Sequence, residues 1–96
     1  MQVEIITPEM EVFKGEAEAV QFPGLDGSFQ VLSNHAPIIS ALAEGELKVN
    51  LTESFDTSDE TNELISVDNS DKKVIRVAIK GGVMEMLNNK VIVLAE

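Results

Sequence analysis

The sequence predicts an all-β protein, built as a sandwich or barrel of short antiparallel strands. Hydrophobic residues recur with a period of two, and turn-forming residues interrupt the chain at short intervals. No segment has convincing helical periodicity, and the best short candidate is a single turn near residues 34–36. A chain of 96 residues has the length of one domain, so residues 1–96 are predicted to fold as a single unit.

The clearest strand signal is the segment 46–51, where three hydrophobic residues alternate with Glu46, Lys48 and Asn50. Residues 74–80 alternate in the same way, and residues 83–87 and 91–94 are rich in β-forming residues. The pair Asn88-Asn89 joins the last two runs, and because Asn tolerates positive φ it suits a two-residue hairpin turn. Further turn signals are Thr7-Pro8, Lys14-Gly15, Pro23-Gly24, Asp26-Gly27, Glu44-Gly45 and Gly81-Gly82.

The segment 52–72 differs from the rest of the chain. It holds seven of the 17 acidic residues and only one basic residue, and its first half has no periodicity. This composition predicts a solvated loop or hairpin tip inserted in the domain. Residues 64–67 are expected to return as a short strand that pairs with the strand after Lys73.

The overall composition excludes several classes of protein. A net charge of −10 disfavours nucleic acid, because phosphate binding depends on Lys and Arg, and it also disfavours direct adsorption to anionic lipid. Without cysteine, the chain cannot form disulfides, thiol nucleophiles or Cys-ligated zinc sites. The start of the sequence lacks the pattern of a signal peptide, and no run approaches the length of a membrane span. The expectation is a soluble, intracellular protein.

His35 is the only histidine and therefore the first candidate for catalysis. A triad with Asp26 and one of three serines (Ser28, Ser33 or Ser40) is conceivable, but no nucleophile elbow is present and so short a chain has little room for a cleft. A histidine that bonds the loop backbone is the favoured interpretation, and an interface contact is the second. No catalytic residue is assigned, and the chain is expected not to be an enzyme.

Metal and cofactor sites are not predicted either. The acidic residues between 56 and 63 lack the spacing and the glycine of an EF-hand, so a solvated loop is favoured over a calcium site. Gly81-Gly82 has no phosphate-loop context and is interpreted as a tight turn or bulge. Met84 and Met86 alternate on one face and are interpreted as core residues, with a partner surface as the alternative.

Several segments occur together in a characteristic order and spacing. They are VEIITPE (3–9), VFKGEA (12–17), FPGLDGSF (22–29), NHAPIISAL (34–42), KGGVMEM (80–86) and VIVLA (91–95). In this arrangement they resemble the N-terminal domain of the ε subunit of F-type ATP synthases, which is called δ in mitochondria. The His-Ala-Pro element and the late Gly-Gly strand pair are the most specific parts. The resemblance covers nearly the whole chain outside residues 52–72.

The resemblance implies a flattened, two-sheet antiparallel β-sandwich of about ten strands. It also implies a non-catalytic rotor subunit in the central stalk of a proton-translocating F-type ATP synthase, coupling c-ring rotation to ATP synthesis in the catalytic hexamer. The implied partners are the γ subunit and the c-ring, within an F1 complex that also contains α, β and δ. The implied location is the cytoplasmic face of the bacterial inner membrane, as a peripheral protein that reaches the membrane only through the complex.

Site residues follow from the same resemblance. Asp26, Gly27 and Ser28 match the turn that faces the c-ring, while Thr7, His35 and Ser40 match positions that face γ. Ser28 stands where relatives often carry an acidic residue. The chain ends after the last strand motif, so no C-terminal helical hairpin is expected, and residues 52–72 form an acidic insertion in a hairpin that is usually short. The alternative hypothesis is an independent acidic β-sandwich module that binds another protein.

Overall fold

The computed structural model describes residues 1–96, which form nine β-strands and no helix. The predicted all-β fold class is therefore confirmed. In chain order the strands are β1 Gln2–Ile6, β2 Glu11–Gly24, β3 Gly27–Leu32, β4 Ile38–Leu42, β5 Gly45–Leu51, β6 Ile65–Val67, β7 Val74–Ile79, β8 Gly82–Leu87 and β9 Lys90–Ala95. A helix able to cross a lipid bilayer is not found in the structure.

The strands form two layers that share the long strand β2. The first half of β2 pairs with β1, and the first layer has the order β2-β1-β9-β8-β4. The second half pairs with β3 and β5, and the second layer has the order β3-β2-β5-β7-β6. A register shift between Ala17 and Ala19 lies where β2 passes from one layer to the other. Because β2 belongs to both layers, nine strands supply ten strand segments, as expected for the predicted sandwich.

The first and last strands of the chain lie side by side. β1 and β9 pair in parallel, with Gln2 opposite Lys90 and Ile6 opposite Leu94, whereas every other pair is antiparallel. Parallel neighbours need a long crossover connection, and here the rest of the domain provides it. The pairing unites the two ends of the described chain in one layer.

The core lies between the layers and is entirely apolar. Alternation along β5 and β7 places Leu47, Val49, Ile75 and Val77 inside with no exposed surface. The opposite layer contributes Val3, Ile5, Met84, Met86, Val91 and Val93, each 0–1% exposed. The core position of Met84 and Met86 confirms the favoured interpretation of that pair. No polar side chain is buried, so the interior is a close-packed block that resists deformation.

The predicted hairpin at Asn88-Asn89 is confirmed, because φ is 51° at Asn88 and 59° at Asn89. Two positive φ values in a two-residue loop match the twist of the flanking strands. The side chain of Asn89 also orders the loop after β3, since its Oδ1 accepts a hydrogen bond of 2.7 Å from the backbone N–H of Asn34. Gly81 lies in the predicted turn between β7 and β8.

The segment 52–72 is anchored to the core at several points. Its short strand β6 pairs with β7, which confirms the predicted return strand. The ring of Phe55 packs against Phe13 with a centroid distance of 6.2 Å, and Leu64 also packs against the core. The residues 56–60 between these anchors are exposed. The acidic segment therefore covers the side of the sandwich next to the first half of β2.

Asp68 holds the turn between β6 and β7. Its Oδ1 accepts a 2.9 Å hydrogen bond from the Arg76 guanidinium, and its Oδ2 accepts hydrogen bonds from Ser70 and Asp71. The bond from Arg76, followed by those from Ser70, holds the pKa of Asp68 well below its ordinary range. A carboxyl whose pKa is lower in the folded state stabilises the fold above its unfolded pKa of about 3.9. That stabilisation is lost as pH falls further toward the folded value.

Asp68→Ala is therefore expected to lower the free energy of unfolding at pH 7 and to reduce the loss of stability between pH 4 and pH 2. Urea unfolding across this pH range measures both effects. Asp56→Ala is the matched control, because the Asp56 side chain is exposed and makes no hydrogen bond or ion pair in the structure. A pH profile that is identical in the wild type and Asp68→Ala would contradict the assigned role.

Candidate interaction surface

The outer side of the first layer is apolar where β4, β8 and β9 meet. Successive side chains along a strand point to opposite faces of the sheet. Met84 in β8 and Val93 in β9 point into the core, so the residues next to them along each strand point outward. Ile39 is 69% exposed, Leu94 57%, Leu87 49% and Val83 44%. We define the apolar face as the outward residues Ile39, Ala41, Val83, Leu87, Ile92 and Leu94.

Strand pairing places the apolar residues of the face beside one another, around the outward side chain of Glu85. Ala41 lies opposite Val83, and Val83 lies opposite Leu94 on the other neighbouring strand. Exposed apolar patches with polar borders are typical of protein interaction sites. The face therefore has the properties of a contact surface for another protein.

Charged residues border the apolar face on the side of β1. Glu4 in β1 forms ion pairs with Lys14 at 3.6 Å and with Lys90 at 3.3 Å. Register places Glu4 opposite Ile92, at the margin of the face. This charged cluster limits the apolar face to the β4, β8 and β9 side of the layer.

The three residues predicted to face a c-ring are consecutive: Asp26 lies in the turn between β2 and β3, and Gly27 and Ser28 are the first residues of β3. Asp26 precedes Gly27, which has φ of 122° and begins β3. Neighbouring Leu25 is 65% exposed at the tip of the turn. A depression of about 350 Å³ is lined by the turn, by the flanking residues of β2 and β3, and by Ser40 and Ala41.

The three residues predicted to face γ do not form one cluster. Thr7 follows β1 at the end where Ile6 pairs with Leu94, and its hydroxyl donates to the Met10 carbonyl at 3.3 Å. His35 lies at the opposite end of the layer, in the loop that is tied to Asn89. Ser40 is half-buried on the inward side of β4 and lines the depression beside the β2–β3 turn. The apolar face lies between the ends occupied by Thr7 and His35.

The side chain of His35 is bound to the loop backbone. Its Nδ1 lies 2.6 Å from the Ala36 carbonyl oxygen, which requires that Nδ1 carries the proton and donates. This contact confirms the favoured interpretation of His35. The Ser33 hydroxyl donates to Asn89 and the Ser40 hydroxyl to Ala41, and no serine bonds the imidazole. The conceivable triad is therefore not assembled in the structure.

The acidic residues of the segment 52–72 do not converge on a point. No group of three or more His, Asp or Glu side chains is close enough to hold a metal ion. Between residues 58 and 61 the chain satisfies its own polar groups, since the Thr61 hydroxyl accepts a 2.8 Å bond from the Ser58 N–H. This geometry matches a solvated acidic loop.

The apolar face itself was not predicted from the sequence. The signal for it lies in the final strand, where residues 91–95 are apolar without interruption. In antiparallel sheets with one solvated face, polar residues normally alternate with buried ones. In β9 the unbroken apolar run instead leaves Ile92 and Leu94 on the outer side of the layer, while Val91 and Val93 fill the core.

Comparison with known proteins gives consistent matches. The family model described as the β-sandwich domain of the ATP synthase delta/epsilon chain matches residues 1–59. The chain is 38% identical over 96 residues to the ATP synthase epsilon chain of Salinibacter ruber, covering 100% of this chain and 58% of that relative. It is 35% identical over 95 residues to the ATP synthase epsilon chain of Chlorobium limicola, covering 99% of this chain and 88% of the relative.

A solved structure supports the fold independently. A chain in the cryo-EM structure of the Tetrahymena thermophila mitochondrial ATP synthase central stalk and c-ring superposes with a TM-score of 0.67. The match covers 99% of this chain and 62% of that chain, at 18% sequence identity. Similarity at this identity concerns the β-sandwich fold.

Proposed function

The chain belongs to the ATP synthase delta/epsilon family, and on this basis we propose that it is a non-catalytic rotor subunit in the central stalk of a proton-translocating F-type ATP synthase. In this role it bridges the γ subunit and the c-ring and couples c-ring rotation to ATP synthesis in the catalytic hexamer. Its further partners are the α, β and δ subunits of the F1 complex. As a bacterial subunit it occupies the cytoplasmic face of the inner membrane and associates with the membrane only through the complex.

The main support for the proposal is the apolar face, which is present in a chain related to ATP synthase epsilon chains. A subunit that transmits torque must bind its partners through broad surfaces and must not bend. The apolar face offers such a surface for γ, and the apolar core behind it gives the stiffness. Residues 1–96 act as one domain in this proposal, with residues 52–72 as an acidic insertion.

The proposed contacts lie at different places on the sandwich. Asp26, Gly27 and Ser28 contact the c-ring through the β2–β3 turn. Thr7 and His35 lie at the two ends of the apolar face, so a γ subunit that covers the face reaches both. Ser40 contacts γ only if γ also extends over the edge of β4, because its side chain faces inward.

Co-purification with the γ subunit of the same organism tests the proposal. The chain and γ are expressed together, with an affinity tag on γ, and the expected result is a one-to-one complex that survives gel filtration. A complex of the two should then bind detergent-solubilised c-rings, whereas the chain without γ should bind them less tightly. If the chain elutes as a free monomer while γ is folded, the alternative of an independent acidic binding module is favoured instead.

A further inference from the structure

Glu85 lies at the centre of the apolar face. It points outward from β8, opposite Ile39 on one neighbouring strand and Ile92 on the other. Along its own strand the next outward residues are Val83 and Leu87. Aliphatic side chains therefore flank this carboxylate in all four directions.

The carboxylate of Glu85 has no ionic partner within the chain. The four ion pairs of the structure involve other acidic residues, namely Glu16, Glu4 twice and Asp68. Lys90 lies opposite Leu87 in the pairing of β8 with β9, but it already forms an ion pair with Glu4 at 3.3 Å. Glu85 is also absent from the side-chain hydrogen bonds of the structure.

A free carboxylate inside an apolar contact surface has an energetic consequence. When a partner covers the face, water is removed from Glu85, and this is costly unless the partner supplies an opposite charge. A purely apolar partner is therefore rejected, while a partner with a cation at the matching position is accepted. The arrangement turns a non-selective apolar face into a selective one.

We propose that Glu85 determines which partner binds the apolar face, and that the γ subunit presents a lysine or arginine side chain to it. This inference rests on the proposed function, because that function supplies γ as the occupant. Charge complementarity to Glu85 favours lysine or arginine, because only these two side chains combine a permanent positive charge with a long apolar stem.

The surface next to Glu85 has room for such a side chain. An open hollow of about 440 Å³ is lined by Pro37, Ile38, Ile39, Glu85, Met86 and Leu87. Its walls are mostly apolar and Glu85 supplies the charge. The stem of a lysine or arginine can lie against Ile39 and Leu87 while its charged end meets the carboxylate.

A second copy of the chain fits the face poorly. In a two-fold symmetric dimer the same patch contacts itself, so a dimer centred on the face brings the two Glu85 carboxylates together. Like charges opposed at an interface destabilise the complex. Glu85 therefore also limits self-association of the free chain.

Three variants of the chain, titrated with purified γ, test the inference. Glu85→Gln keeps the shape and removes the charge, and Glu85→Leu removes the charge and adds apolar surface. Glu46→Gln is the control, because Glu46 is an exposed carboxylate that points outward from β5 in the second layer. Affinity is measured by calorimetry at two salt concentrations, and self-association of each free chain by sedimentation velocity.

Both Glu85 variants are expected to bind γ at least about tenfold more weakly than the wild type, with less dependence on salt, and Glu46→Gln to bind within twofold. Glu85→Leu is also expected to self-associate. Binding by Glu85→Leu that equals or exceeds the wild type overturns the inference and leaves the proposed function standing. Self-association of the wild type through this face also overturns it. A wild type that does not bind γ overturns the proposed function, and the inference with it.

Discussion

Gly82→Ala is expected to lower the free energy of unfolding by more than about 4 kcal/mol, a large share of the total for a domain of this size. Gly82 lies at the start of β8, between Leu42 of β4 and Ala95 of β9. A Cβ atom added there would overlap the backbone carbonyl oxygen of Leu94 and lie 3.0 Å from the Ala95 Cα. Backbone atoms cannot rotate away as a side chain can, so β9 would have to move. The φ of 143° at Gly82 adds strain for any L-residue.

Gly27→Ala separates steric overlap from backbone strain, the two causes of the stability loss expected for Gly82→Ala. Gly27 also has a positive φ, 122°, but nothing lies within 4 Å of an added Cβ atom. This variant carries only conformational strain and should lose about 1–3 kcal/mol. Urea unfolding followed by circular dichroism measures both variants. Equal losses in the two would show that steric overlap at Gly82 is relieved by a small shift of β9, and that strain alone explains the effect.

Elements that depend on neighbouring residues were predictable from the sequence. Alternation over residues 46–51 gave both the strand and its buried side, because each side chain's direction follows from its position along a strand. The Asn88-Asn89 turn was equally predictable, since positive φ at two successive positions favours very few residue types. In these places local stereochemistry and the final fold agree.

Features that depend on distant parts of the chain were not predictable in the same way. The sequence does not show that β2 continues for 14 residues and belongs to both layers, since its path is set by pairing with β1, β3 and β5. The parallel pairing of β1 with β9 joins residues about ninety positions apart, and no local signal marks it. The anchoring of the acidic segment through Phe55 has the same origin, because Phe13 lies far from it in sequence.

The candidate site was predicted less completely than the fold. The resemblance placed Asp26, Gly27 and Ser28 in one turn, whereas in the structure Asp26 lies in the β2–β3 turn and Gly27 and Ser28 begin β3. It did not show that Ser40 faces inward, which follows from the pairing of β4 with β8. The apolar face was missed because the run of apolar residues at 91–95 does not by itself tell which of them lie in the core and which on the outer side of the sheet. Only the complete fold distinguishes these two positions.

Leu94→Asp is expected to abolish stable binding to the γ subunit while leaving the fold intact. Leu94 is 57% exposed on the apolar face, so a charged residue there remains hydrated in the free chain and should cost at most about 1 kcal/mol of stability. In the complex, the new carboxylate would lose its hydration within an apolar contact, and no positive charge of the partner would lie opposite it. The expected loss of affinity is at least about a thousandfold, which corresponds to about 4 kcal/mol.

Gln30→Asp is the matched control for Leu94→Asp, because it adds the same charge at an exposed position of β3, on the outer side of the second layer. Calorimetric titration with γ measures the affinity of both variants, and urea unfolding confirms that each is folded. Gln30→Asp should bind as the wild type does if γ covers only the apolar face. Equal losses in the two variants would mean that net charge, rather than contact with the apolar face, controls the association. A loss of affinity for γ in Gln30→Asp alone would indicate that γ contacts the second layer instead. The reason is that an unpaired carboxylate weakens binding only where the partner removes its water.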